Sequence, residues 1–157
     1  MNTNTIAAAI QHLRLPFFVS VIGLILFLFW MGLLRFSPAE IRHMSELADA
    51  SSLSNWLLQF TNAPFLCKLL GALEIFAASS LIAGTLVPEM GIIGSTLAIL
   101  IILASILFLL SLPYPLIRLH QGWAPTTDGL KLFEDLMILG DSLFILLQYN
   151  RRLKISL

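Results

Sequence analysis

Six residues in this chain have side chains able to do chemistry inside a membrane: the acids Glu74, Glu134, Asp135 and Asp141, and the cations Arg35 and Lys131. Three of the acids fall in one stretch, Lys131 to Tyr149, KLFEDLMILGDSLFILLQY, which is otherwise apolar enough to cross a bilayer. An ionised acid at the centre of a span costs roughly 2.5–3.5 kcal/mol on insertion scales, so each must be paired, protonated or turned towards protein or water. Glu134 and Asp141 are two helical turns apart and share a face, while Asp135 is rotated about 100° from Glu134, which gives the helix a polar seam. Lys131 can reach Glu134 at i, i+3 and Asp135 at i, i+4, and Arg35, at the end of the first apolar run, is expected at the same outer edge. Glu74 and Asp141 sit about ten and eleven residues into their own apolar runs, counted from that edge, deeper than a snorkelling Lys or Arg naturally reaches. They are expected at one depth, sharing a proton. Two readings stay open: an ion-paired clamp tying the first and last spans together, and a ligand or proton site, looked for first between Glu74 and Asp141.

Composition says what surrounds these groups. The 157 residues are 58% hydrophobic and 11% charged, with a mean hydropathy of +0.91, against about 25% charged in soluble domains. This is the composition of a membrane protein, one small bundle without room for a second domain. Nine Lys+Arg balance nine Asp+Glu, so there is no basic excess for nucleic acid; the expected partners are the lipid bilayer and a second copy or a partner membrane subunit. Cys67 is the sole cysteine, which excludes an internal disulfide and a CxxC redox pair. His12, His43 and His120 are isolated, without an HxxxH spacing, so no metal or haem site is expected. Nucleotide-binding and Gly-x-Ser-x-Gly patterns are absent, and no activated nucleophile stands out. Binding or assembly is therefore expected rather than catalysis. Phe17, Phe18, Phe27, Phe29 and Trp30 are lipid or core contacts unless a pocket beside them makes a quinone site.

The expected architecture is all-α, a bundle of four transmembrane helices with an amphipathic helical cap between the first two. Pro16 to Leu34 is uncharged and long enough to cross a hydrocarbon core of about 30 Å. It is too long for a signal-peptide core, and no small-x-small site follows, so cleavage is not expected. Ser37-Pro38-Ala39-Glu40 is a helix start, with Ser as N-cap and Pro at the first helical position. Ile41, Met44, Leu47 and Ala48 then give one apolar face, and Leu53, Trp56, Leu57 and Phe60 a second, at the membrane surface. Span two is placed at 65–87, a tight turn at Pro88 to Gly91, span three at 91–112 and span four at 131–149, with a loop from Pro113 to Gly129. Gly71, Ala77 and Ala78 in span two, and Gly94, Ala98 and Ser105 in span three, are stripes along which a neighbouring helix can approach. Setting aside the span-edge cations Arg35, Lys68 and Lys131, the terminal side keeps Arg14, Arg151, Arg152 and Lys154 and the other side Arg42 and Arg118. Both termini are therefore expected in the cytoplasm.

Four segments, FWMGLLRFSPAEI (Phe29 to Ile41), LLGALEIFAASSLIAG (Leu69 to Gly84), FLLSLP (Phe108 to Pro113) and GLKLFEDLMILGDSL (Gly129 to Leu143), together resemble one bacterial inner-membrane family. It is the YkgB family, also called reactive chlorine resistance protein C (RclC), itself similar to the DoxX-like four-helix membrane proteins. The likeness covers most of the chain in the same order. Trp30, Gly32, Arg35, Phe36 and Glu40 fit the first element, Gly71 and Glu74 the second, Asp135 and Gly140 the last. The chain departs from the pattern at Glu134-Asp135, where the family usually has Lys-Asp, and at Asp141, where a small residue is expected; Lys131, one turn earlier, is the cation able to stand in. The resemblance implies an inner-membrane protein associated with oxidative or reactive-chlorine stress, without supplying a reaction. Through the DoxX likeness it also implies, as a rival, a membrane subunit of a quinone-linked oxidoreductase. A proton-coupled carrier, which would need a dimer or larger assembly, is a further rival.

Overall fold

The computed structural model describes residues 15–50, 61–111, 116–119, 122–125 and 127–156. Among these lie five helices and one short hairpin: α1 Leu15–Leu34, α2 Pro38–Ala50, α3 Ala63–Gly84, α4 Pro88–Leu110, β1 Leu116–Leu119, β2 Gly122–Pro125 and α5 Thr127–Ser156. The strands pair antiparallel, with Leu116 opposite Pro125 and Leu119 opposite Gly122, inside the segment expected to be loop. The second apolar face expected at Leu53 to Phe60, together with His12, Arg14 and His120, lies outside the described residues.

Helix ends follow local chemistry. The Ser37 hydroxyl accepts from the Glu40 amide at 3.2 Å, and the Asn62 carboxamide accepts from the Phe65 amide at 2.9 Å, each satisfying an amide that the first turn leaves open. The expected turn at Pro88 to Gly91 is displaced. The chain turns at Thr85 to Val87, and Pro88 is the first residue of α4, because proline's fixed φ suits the first helical position and its missing N–H costs nothing there. Gly91 is a packing residue inside the helix. α5 also runs beyond 131–149 at both ends, over 30 residues.

The four long helices alternate in direction. α1 begins where α3 ends: Phe17 and Leu81 share one core cluster with Tyr149 near the end of α5. A Cβ on Gly91 would lie 2.5 Å from the Tyr149 ring, and one on Gly84 would lie 2.4 Å from the Gly91 Cα. The two glycines thus form a seat for Tyr149. Phe17 completes it edge-on, its ring centroid 5.3 Å from that of Tyr149 at 80°, and the Arg152 guanidinium lies 4.3 Å from the Phe17 centroid, a cation–π contact.

Burial is arranged for lipid rather than water. The centre holds small residues such as Ala77, Ala78, Ser95 and Ala98 with Val21, Leu24 and Leu28, while Leu86, Met137, Val19, Trp30, Leu26 and Leu107 are exposed. Close helix contact through small side chains with large apolar groups facing outward is how helices associate in a bilayer. α1, α3 and α4 are each long and apolar enough to cross a membrane. This is a helical membrane protein.

The Tyr149 seat predicts a contrast between glycines. Gly91→Ala should destabilise by about 1–3 kcal/mol, because the ring has no room to retreat. Gly23→Ala, whose Cβ would meet nothing within 4 Å, should not destabilise. Reversible unfolding by sodium dodecyl sulfate in mixed micelles checks both.

Candidate functional site

The polar centre begins with a contact between two backbones. A Cβ on Gly32 would stand 2.7 Å from Ile75 Cγ1 and 3.0 Å from the Gly71 carbonyl oxygen, and one on Gly71 would stand 2.8 Å from both Arg35 Cβ and the Gly32 carbonyl oxygen. No larger residue at either position leaves α1 and α3 this close. The contact sets Arg35 level with Gly71, and Glu74 follows three residues later, about 4.5 Å further along α3.

Arg35 therefore meets Glu74 without reaching deep. Its Nε donates to Glu74 Oε1 at 3.4 Å and its Nη1 to Glu40 Oε1 at 3.1 Å, joining the end of α1 to α3 and to the first turn of α2. Arg35 is 7% exposed and Glu74 4%. Beneath them the Cys67 thiol donates to the Arg35 carbonyl at 3.2 Å, satisfying a helix-end acceptor that water does not reach. Glu74 Oε2 is buried and, among the described residues, has no hydrogen-bond partner.

Across the bundle, Asp135 of α5 accepts a 2.6 Å hydrogen bond from the Ser105 hydroxyl of α4. Asp135 is 4% exposed. Both contacts lie at the same end of the bundle, with Lys131 one turn before Asp135 on α5. Within ion-pair distance, two carboxylates, Glu40 and Glu74, face the one guanidinium of Arg35. That imbalance, with the free Glu74 oxygen, makes the cluster a place for a proton or for a small hydrogen-bond donor.

Several sequence expectations change. The clamp between the first and last spans is instead a clamp of α1 with α2 and α3: among the described residues Arg35 pairs with Glu40 and Glu74, not with Glu134 or Asp135, and Lys131 forms no ion pair within 4 Å. The proposed Glu74–Asp141 pair is not formed. Depth counted along each helix separately hid the offset fixed by Gly32 and Gly71, which brings the cation to Glu74. Asp141 is half-buried and borders a groove with Ser20 of α1. Glu134 is exposed. Ser105, expected only as a packing residue, is the acid's partner, and its signal was the one hydroxyl in the apolar run from Leu97 to Leu110. Glu40, expected as part of a helix start, carries an ion pair.

Comparison of the chain with protein-family models, with curated proteins and with solved structures finds no match.

Removing one partner of a buried pair strands the other charge. Arg35→Gln should cost about 3–5 kcal/mol, and the double variant Arg35→Met with Glu74→Met should recover most of that loss, both read by unfolding in mixed micelles.

Proposed function

We propose that the protein is a four-span inner-membrane protein, with both termini in the cytoplasm, that protects against oxidants by binding a proton or a small polar ligand at the Arg35–Glu74 cluster. The observation that carries this reading is the buried Glu74 oxygen that has no partner among the described residues, where two acids face the single cation Arg35. The oxidant role rests on the resemblance of the Trp30 to Glu40, Gly71 to Glu74 and Gly129 to Leu143 segments to the YkgB family.

The fourth span is α5. It packs along α4 from the Ser105–Asp135 hydrogen bond to the Gly91–Tyr149 contact, which supports a span beside α4. Between Leu136 and Asn150 its single charged residue is Asp141, and Leu136, Met137, Leu143, Phe144 and Leu147 extend the apolar belt. Arg151, Arg152 and Lys154 follow at its end, where the positive-inside rule places them in the cytoplasm. On the other side Arg35 is consumed by its ion pairs.

A fluorescent protein fused after Leu157 should fluoresce, and alkaline phosphatase fused there should be inactive; the reverse pattern overturns the topology. Cells lacking the protein should lose survival under hypochlorous acid, regained with the wild-type chain but not with Glu74→Gln present at equal level in the membrane. Unchanged survival of the deficient cells overturns the protective role. A quinone co-purifying with the protein would make it instead a membrane subunit of an oxidoreductase.

A further inference from the structure

Asp141 is an acid of α5 that lies away from the polar end of the bundle, in the apolar stretch between Leu136 and Asn150. Among the described residues it makes no hydrogen bond and no ion pair. It lies six residues beyond Asp135 and eight before Tyr149, hence about 9 Å from the polar end of the bundle and about 12 Å from the aromatic seat, near the middle of the span. Beside it runs a shallow groove, open along one side of the bundle, lined by Ser20 of α1 and by Met137, Ile138, Gly140, Asp141 and Phe144 of α5. A Cβ on Gly140 would meet nothing within 4 Å, so a larger side chain there would project into this open space.

We propose that this groove binds an aromatic, charge-delocalised monocation that enters from the lipid. Each part of the lining selects a property of that ligand. A carboxylate that ionises at mid-membrane depth is costly without a positive partner, and such a partner offsets that cost. A compact ammonium holds its water too tightly to reach that depth, whereas a cation whose charge is spread over rings desolvates easily. The exposed faces of Phe144 and Met137 offer a quadrupole and a polarisable sulfur to such rings. The Ser20 hydroxyl borders the same space and can orient the carboxylate. The inference shares with the preceding subsection only the placement of α5 in the membrane. It is independent of the oxidant role and of Glu74, so the survival experiment and the binding experiment fail separately.

The test is calorimetric titration of the full-length protein in a nonionic detergent with tetraphenylphosphonium, using triphenylphosphine oxide as the neutral aromatic control. Saturable binding of the cation, and none of the neutral control, is expected for the wild type. Asp141→Asn should weaken it at least about tenfold, which is only 1.4 kcal/mol of the cost of an unpaired acid, while Asp141→Glu should retain it. Gly140→Leu fills the groove without meeting protein, so it should abolish binding with the fold intact, and Glu134→Gln, an exposed acid on the same helix, should change nothing. Equal affinity of wild type and Asp141→Asn overturns the proposal, as does equal binding of the neutral control or the absence of saturable binding to the wild type. Loss of a wild-type dimer on Asp141→Asn, without any cation binding, overturns it in favour of a second copy of the chain covering the groove.

Discussion

The contact of the α1 and α3 backbones at Gly32 and Gly71 is the constraint on which the polar half of the molecule depends. An arginine at the end of a transmembrane helix ordinarily extends towards the interface and stays wet. Here the glycines bring its own Cβ against the neighbouring helix, so the guanidinium is enclosed before it can leave. Enclosure requires partners, and Glu40 and Glu74 are within reach because α2 begins immediately after the turn and α3 passes alongside. The Cys67 thiol follows from the same closeness, reaching a carbonyl that α1 can no longer present to water. A buried ion pair is weak evidence for net stability. Its effect here is to make one relative placement of three helices acceptable and others costly.

The other end of the bundle is fixed by shape instead of charge. Tyr149 occupies the space that Gly84 and Gly91 leave, capped by Phe17 and Arg152. Ser105 and Gly91 on α4 are separated by the same number of residues as Asp135 and Tyr149 on α5. The hydrogen bond at one end and the aromatic seat at the other therefore pin one and the same register. A shift of one turn would break both at once, which removes the sliding freedom that two smooth apolar helices would otherwise have.

The helices themselves were legible in the sequence because uncharged runs of span length admit few alternatives, and the Ser37-Pro38 cap marks the start of α2. Pro88 misled for a local reason: Pro-Glu-Met-Gly has the composition of a turn, yet its glycine serves a tyrosine nearly sixty positions away in sequence. The identity of the acids and cations was also legible, and five of the six, all but Asp141, gather at one end of the bundle. Their pairing was not, since it depends on how far one helix is displaced along another, a quantity carried by interhelical contacts and by no single helix. Gly32 and Gly71 were visible as small residues, but only their mutual contact turns them into a rule for Arg35. The hairpin at 116–125 escaped because its strands have four residues each, too few to display a period.

The seat for Tyr149 bears on the order in which the protein is made. The surfaces that receive α5, the Ser105 hydroxyl and the hollow between Gly84 and Gly91, belong entirely to helices that leave the ribosome before it. α5 is the long helix whose own composition argues least for entering lipid. Its place in the bundle is therefore supplied by the helices before it, which offer a donor to its acid and a fitted space to its aromatic ring. Without α5 the hollow between Gly84 and Gly91 has no ring to fill it and Ser105 has no acid to meet, so the last helix acts as the lock that closes the assembly.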